Sequence, residues 1–96
     1  MNVAEDIRAR LDAALAPSRL ALEDQSDRHR GHAGAREGGM SHFAVEIVSA
    51  RFAGLSRLAR QRLVLDAVRD LMPVPVHALS IRALTEEEAT ASQGRA

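Results

Sequence analysis

The chain has 96 residues, 46% of them apolar but only two aromatic, Phe43 and Phe52, and its 13 basic and 13 acidic residues cancel at neutral pH. A chain of this length builds one domain around a modest aliphatic core, so no deep aromatic pocket is expected, and a zero net charge gives no whole-molecule pull toward nucleic acid or anionic membrane. The absence of cysteine excludes disulfides, thiolate catalysis and any metal site held by the chain's own sulfur.

Charge is unevenly spread. Residues 1–27 carry six acids and three arginines, whereas Arg51 to Arg62 contains four arginines and no acid, a candidate basic patch. All 13 basic residues are arginine, which reads as compositional bias. Glu5 and Asp6 stand where a signal peptide would be basic, and no window reaches the ~18 apolar residues of a membrane span; the expectation is a cytoplasmic protein without a membrane segment.

In chain order, Val3, Ile7, Leu11 and Leu15 recur every four residues and predict a helix from about Asn2 to Ala16, with Asn2 as cap, Glu5 at capping-box spacing and Pro17 as terminator. Ser18 to Ser26 alternates loosely and predicts a first strand with Leu20 and Leu22 on one face. Asp27 to Ser41 holds four glycines in fifteen residues, a long loop of the kind that tends to be functional or disordered. His42 to Ser49 predicts a second, half-buried strand, with Phe43, Val45 and Ile47 facing one way and Ala44 and Glu46 the other.

A turn is expected at Phe52-Ala53-Gly54-Leu55. Leu58, Leu65, Val68 and Met72, joined by Val64 and Leu71, then predict a helix over roughly Ser56 to Met72, stopped by Pro73 and Pro75. Val76 to Leu84 predicts a third strand whose alternation groups His77 with Leu79 and Ile81. Thr85-Glu86-Glu87-Glu88 has capping-box spacing and opens a short last helix. The whole predicts a single α+β domain over residues 1–96, in the order α-β-β-α-β-α: an ordered part of about 2–88, a polar tail over 89–96, and a small three-stranded sheet covered by helices on one face.

The stretch "SHFAVEIVSARFAGLSRLARQRLVLDAVRDLMPVPVHALSI", Ser41 to Ile81, resembles the BolA family. It matches that family's Ser/Thr-His-Phe strand opening, Val-Ser-x-x-Phe-x-Gly turn and Val-His-Ala-Leu strand, and the preceding "SDRHRGHAG" resembles the family's histidine-loop branch. Where the family pattern reads Arg-His-Arg followed by a tyrosine, this chain has Arg60-Gln61-Arg62 and Leu65. The resemblance implies a type II KH-like fold and a heterodimer with a monothiol glutaredoxin. In that heterodimer a 2Fe-2S cluster is shared: the glutaredoxin brings a cysteine and a bound glutathione, and His77 and His32 of this chain are the matching ligands. It further implies a role in cluster transfer or iron sensing, and a monomer or weak homodimer when no cluster is bound.

The residues bear on this independently. A 2Fe-2S cluster needs two protein-side ligands at each iron, and imidazole replaces thiolate at one iron of Rieske centres. With four histidines and no sulfur beyond methionine, the chain is a poor sole host but a feasible donor of half the ligands. His29 reads as a substitute for His32 or a group supporting it, and His42 reads as structural, holding the end of the loop, with direct metal contact as its alternative. Taken alone, a loop histidine is most often an idle exposed side chain, and a strand histidine is most often hydrogen-bonded at the core's edge; only the resemblance makes them ligands.

The run Arg51, Arg57, Arg60 and Arg62 supports two alternatives. One is a solvated helix face in which Asp66 pairs with Arg62. The other is a DNA-binding regulator, or a partner contact, that uses Arg57, Arg60 and Arg62; against it, the Gly-x-x-Gly core of a KH clamp is reduced to Gly54. No nucleophile with a paired base and no phosphate-cradling loop is present, so an enzyme is not expected.

Overall fold

The computed structural model describes residues 2–25, 41–73 and 76–93, and the side chains within them except those of Ser41, Ser92 and Gln93. The elements follow the expected order: α1 (Val3–Leu15), β1 (Arg19–Asp24), β2 (Ser41–Val48), α2 (Arg57–Ala67), β3 (Val76–Leu84) and α3 (Glu86–Gln93), with 3-10 turns at Ala50–Phe52 and Arg69–Leu71. The sheet order is β1-β2-β3. β1 pairs antiparallel with β2, and β2 pairs parallel with β3, so the chain must cross over between them, and α2 lies in that crossover.

The sheet's inner face comes from strict alternation in β2: Phe43, Val45 and Ile47 are all buried. Leu22 and Leu20 on β1 stand opposite Val45 and Ile47 and pack on the same core. α1 adds Ile7, Leu11 and Leu15, with Val3 partly buried beside them, so the predicted four-residue stripe is the core stripe. Asn2 caps α1 by accepting from the Glu5 amide at 3.3 Å. The helix ends on Ala16, whose left-handed backbone (φ 44°) lets its N–H reach Asp12 before Pro17, which has no N–H to extend the ladder.

The second helix differs from expectation twice. It stops at Ala67, and a 3-10 turn replaces the extension to Met72; because the tighter turn still carries Leu71 inward beside Val68, apolar spacing alone cannot separate the two conformations. Its buried face keeps the expected Val64, Val68 and Leu71 but not Leu58 and Leu65. Val64 and Val68 are fully buried, whereas Leu58 is 58% and Leu65 38% exposed. The residue one turn before Val64 on that inward face is Arg60.

The segment joining β2 to α2 explains its own motif. Ser49 is buried; its hydroxyl donates to the Leu15 carbonyl at 2.7 Å and accepts from the Arg51 amide at 3.1 Å, while its amide donates to Leu84 at 3.0 Å. One small polar residue thus ties the end of α1, the end of β3 and the turn together. Phe52 is fully buried. Gly54 adopts φ +78° with open space around a would-be Cβ, so the backbone conformation and not crowding favours glycine there.

Candidate functional site

Of the sequence candidates, His29 and His32 lie outside the described residues, as does most of the glycine-rich loop. His77 is the second residue of β3 and is exposed. His42 is the second residue of β2 and is half-buried. The structure brings these two together: their ring centroids are 5.2 Å apart, with the planes tilted by 54°.

This neighbourhood corrects the expected facing of His77. The β2–β3 register shifts between Ser41, opposite Val76, and His42, opposite Ala78, so His77 is an extra residue in β3. Val76 is fully buried and Leu79 packs on the core, although three residues apart in a strand they would face opposite ways without the irregularity. The shift therefore releases His77 from the inward face of Leu79 and Ile81 and turns it out beside His42; bulges commonly re-aim a side chain in this way. A signal was present in the sequence, since apolar residues at 76, 79 and 81 break a two-residue period.

Among the described residues no group of three or more histidine, cysteine, aspartate or glutamate side chains is placed to hold a metal ion. β2 and β3 pair along their length except at this irregularity, where the exposed imidazole of His77 stands.

The arginine candidates separate. Arg60 is only 13% exposed, and its guanidinium donates to the Leu55 carbonyl (3.0 Å), the Ala83 carbonyl (3.1 Å) and both carboxylate oxygens of Glu88 (2.7 and 3.2 Å). Glu88 also closes the predicted capping box, accepting from the Thr85 amide at 3.0 Å while its own amide donates to the Thr85 hydroxyl at 3.2 Å. The bonds from Arg60, then that from Thr85, draw the Glu88 carboxyl down from its ordinary 4.5 to about 2. Arg60 is thus a clasp between the α2 entry, the end of β3 and α3, and is not available as a surface contact. Arg51, Arg57 and Arg62 are exposed and make no ion pair among the described residues. The expected Arg62–Asp66 pair is replaced by Arg69–Asp66 at 2.7 Å.

Comparison with known proteins places these features in a family. Residues 11–88 match the family profile described as BolA-like protein, and that match indicates no catalytic family. BolA-like protein 1 of Mus musculus is 46% identical over 79 residues, which cover 82% of this chain and 55% of that protein; its solution structure aligns with a TM-score of 0.78 over 97% of this chain and 72% of the other. The chain thus spans about half the length of that curated relative.

SufE-like protein 1 of Arabidopsis thaliana, chloroplastic/mitochondrial, is 42% identical over 85% of this chain but only 23% of that protein. The solved BolA domain of that plant's SufE1 has a TM-score of 0.77 at 39% identity, covering 92% of this chain and 96% of the other. The DNA-binding transcriptional regulator BolA of Vibrio cholerae is 38% identical over 85% of this chain and 74% of its own length. No helix among the described residues is long and apolar enough to cross a membrane.

Proposed function

The chain belongs to the BolA-like family, and from that premise we propose that it is an adaptor that binds a monothiol glutaredoxin and co-ligates a shared 2Fe-2S cluster for cluster transfer or iron sensing. In this reading His77 and His32 give the nitrogen ligands, and the glutaredoxin cysteine and glutathione give the sulfur. The observation that carries the proposal is the outward turn of His77 on a paired strand of a chain without cysteine. A side chain so held can meet a partner's cluster without refolding the sheet, and imidazole is a proven substitute for thiolate at one iron. That the same fold serves as a BolA domain within a longer plant protein also suits an adaptor.

The test is reconstitution of the purified chain with a monothiol glutaredoxin, glutathione, iron and sulfide, followed by visible absorption and circular dichroism. The heterodimer's cluster spectrum is expected with the native chain and lost with His77→Ala or His32→Ala. A spectrum unchanged by both substitutions, or only thiolate around both irons, overturns the reading.

A second reading, a DNA-binding regulator, is favoured by the name of the Vibrio cholerae relative together with the exposed Arg57 and Arg62 of α2. It predicts salt-dependent binding to duplex DNA that Arg57→Ala with Arg62→Ala abolishes. Arg60 has no part in it, since the fold already holds its guanidinium.

A further inference from the structure

His42 and His77 lie side by side on adjacent strands, their ring centroids 5.2 Å apart. We infer that His42 and His77 form a two-imidazole clamp that binds one imidazole-preferring divalent transition-metal ion, of which Zn²⁺ is the representative, on the isolated chain. The inference goes beyond the glutaredoxin reading, because it needs no second protein and shares only His77 with it.

The geometry supplies the argument. With a Zn–N bond of ~2.0–2.1 Å the metal stands ~3.2 Å from an imidazole centroid, so two rings on one tetrahedral ion have centroids ~5.2 Å apart. The separation found here is 5.2 Å, with the ring planes inclined by 54° and not stacked parallel. His42 is held in the β2–β3 ladder opposite Ala78, and His77 is the residue at the irregularity beside it, so the backbones of both are fixed by the flanking pairs. The register irregularity beside Ser41 and His42 supplies a further reason: without it the third strand would direct His77 toward the core side with Leu79, and no such pair would form. His77 is exposed, which leaves room for water or a partner's donors to complete the coordination. Neutral imidazole suits Zn²⁺, Cu²⁺ and Ni²⁺ and not the hard, oxygen-seeking Mg²⁺ and Ca²⁺, which sets the class of ion.

A tilted ring pair at this distance is also ordinary packing without metal, and the experiment separates the two. The full chain is titrated calorimetrically with Zn²⁺, and with Mg²⁺ as control, for the native sequence, His42→Ala, His77→Ala and the loop double variant His29→Ala with His32→Ala. In parallel, the imidazole nitrogen resonances of the native chain are followed by NMR as Zn²⁺ is added. One Zn²⁺ per chain is expected, with coordination shifts on a ring nitrogen of both His42 and His77. Each strand variant should bind at least tenfold more weakly, about 1.4 kcal/mol or more, while the loop double variant keeps native affinity.

The inference is overturned if the native chain ignores Zn²⁺, if only one of the two rings shifts, or if affinity survives His42→Ala and falls with the loop variant. The NMR arm uses the native chain, so it holds even if alanine at the half-buried position 42 loosens the fold. A native chain that ignores Zn²⁺ yet assembles a cluster with glutaredoxin removes the clamp alone; Zn²⁺ binding with no cluster assembly removes the adaptor reading alone.

Discussion

β2 and β3 run parallel, so their starts lie at one end of the sheet and their finishes at the other, and the two ends treat polar side chains in opposite ways. At the finishing end Ser49, Arg60, Thr85 and Glu88 bond to backbone carbonyls, amides and one another, joining α1, α2, β3 and α3. At the starting end two imidazoles lean together and His77 is exposed. The contrast teaches that a charged residue in a motif is no guide to a surface until its partners are known: Arg60 looks like a ligand contact in the sequence and is a clasp in the fold, whereas His77 looks inward by alternation and is turned out.

The contrast is sharpest in its largest expected effect. His77→Ala should abolish the cluster spectrum of the glutaredoxin heterodimer while changing the chain's own unfolding free energy by no more than about 0.5 kcal/mol, as for an exposed side chain; a large loss of stability in denaturant would place His77 among the structural residues. Arg60→Ala should do the reverse, lowering stability by about 2 kcal/mol through the carbonyls of Leu55 and Ala83 that lose a charged donor, with cluster assembly intact in the folded fraction. Ser49→Ala, in the same polar knot, should cost about 1 kcal/mol, since it leaves the Leu15 carbonyl and Arg51 amide without their partner.

Smaller effects probe the clasp. Because the folded-state pKa of Glu88 lies near 2, below its ordinary 4.5, its carboxylate stabilises the fold fully above pH 4.5, and this contribution is lost as pH falls from there through about 2. Amide exchange in α3 should therefore rise over that window, and Glu88→Gln should remove the pH dependence. The least effect belongs to Asp66→Ala, within about 0.5 kcal/mol, because the Arg69 pair it breaks is solvent-exposed on both sides.

The order of elements, the α1 stripe, the alternation of β2 and both capping signals were legible in residues alone, since each depends on neighbours a few positions away. Val64 and Val68 were legible only in part. The apolar spacing included both but also Leu58 and Leu65, which are exposed, and nothing local reveals that Arg60, one turn before Val64, turns inward to Leu55, Ala83 and Glu88. The meeting of His42 with His77 was not legible at all: 35 positions separate them in the chain, and their contact depends on which residue of β2 faces which residue of β3.

By itself, then, the amino-acid sequence determined the α+β class, the family and the impossibility of a thiolate site, because these follow from composition, short-range periodicity and motif. Only the tertiary structure decided which polar groups are left over for function. Strand register and helix-to-strand packing are long-range properties, and a one-residue shift in register moves a side chain from one face of the sheet to the other.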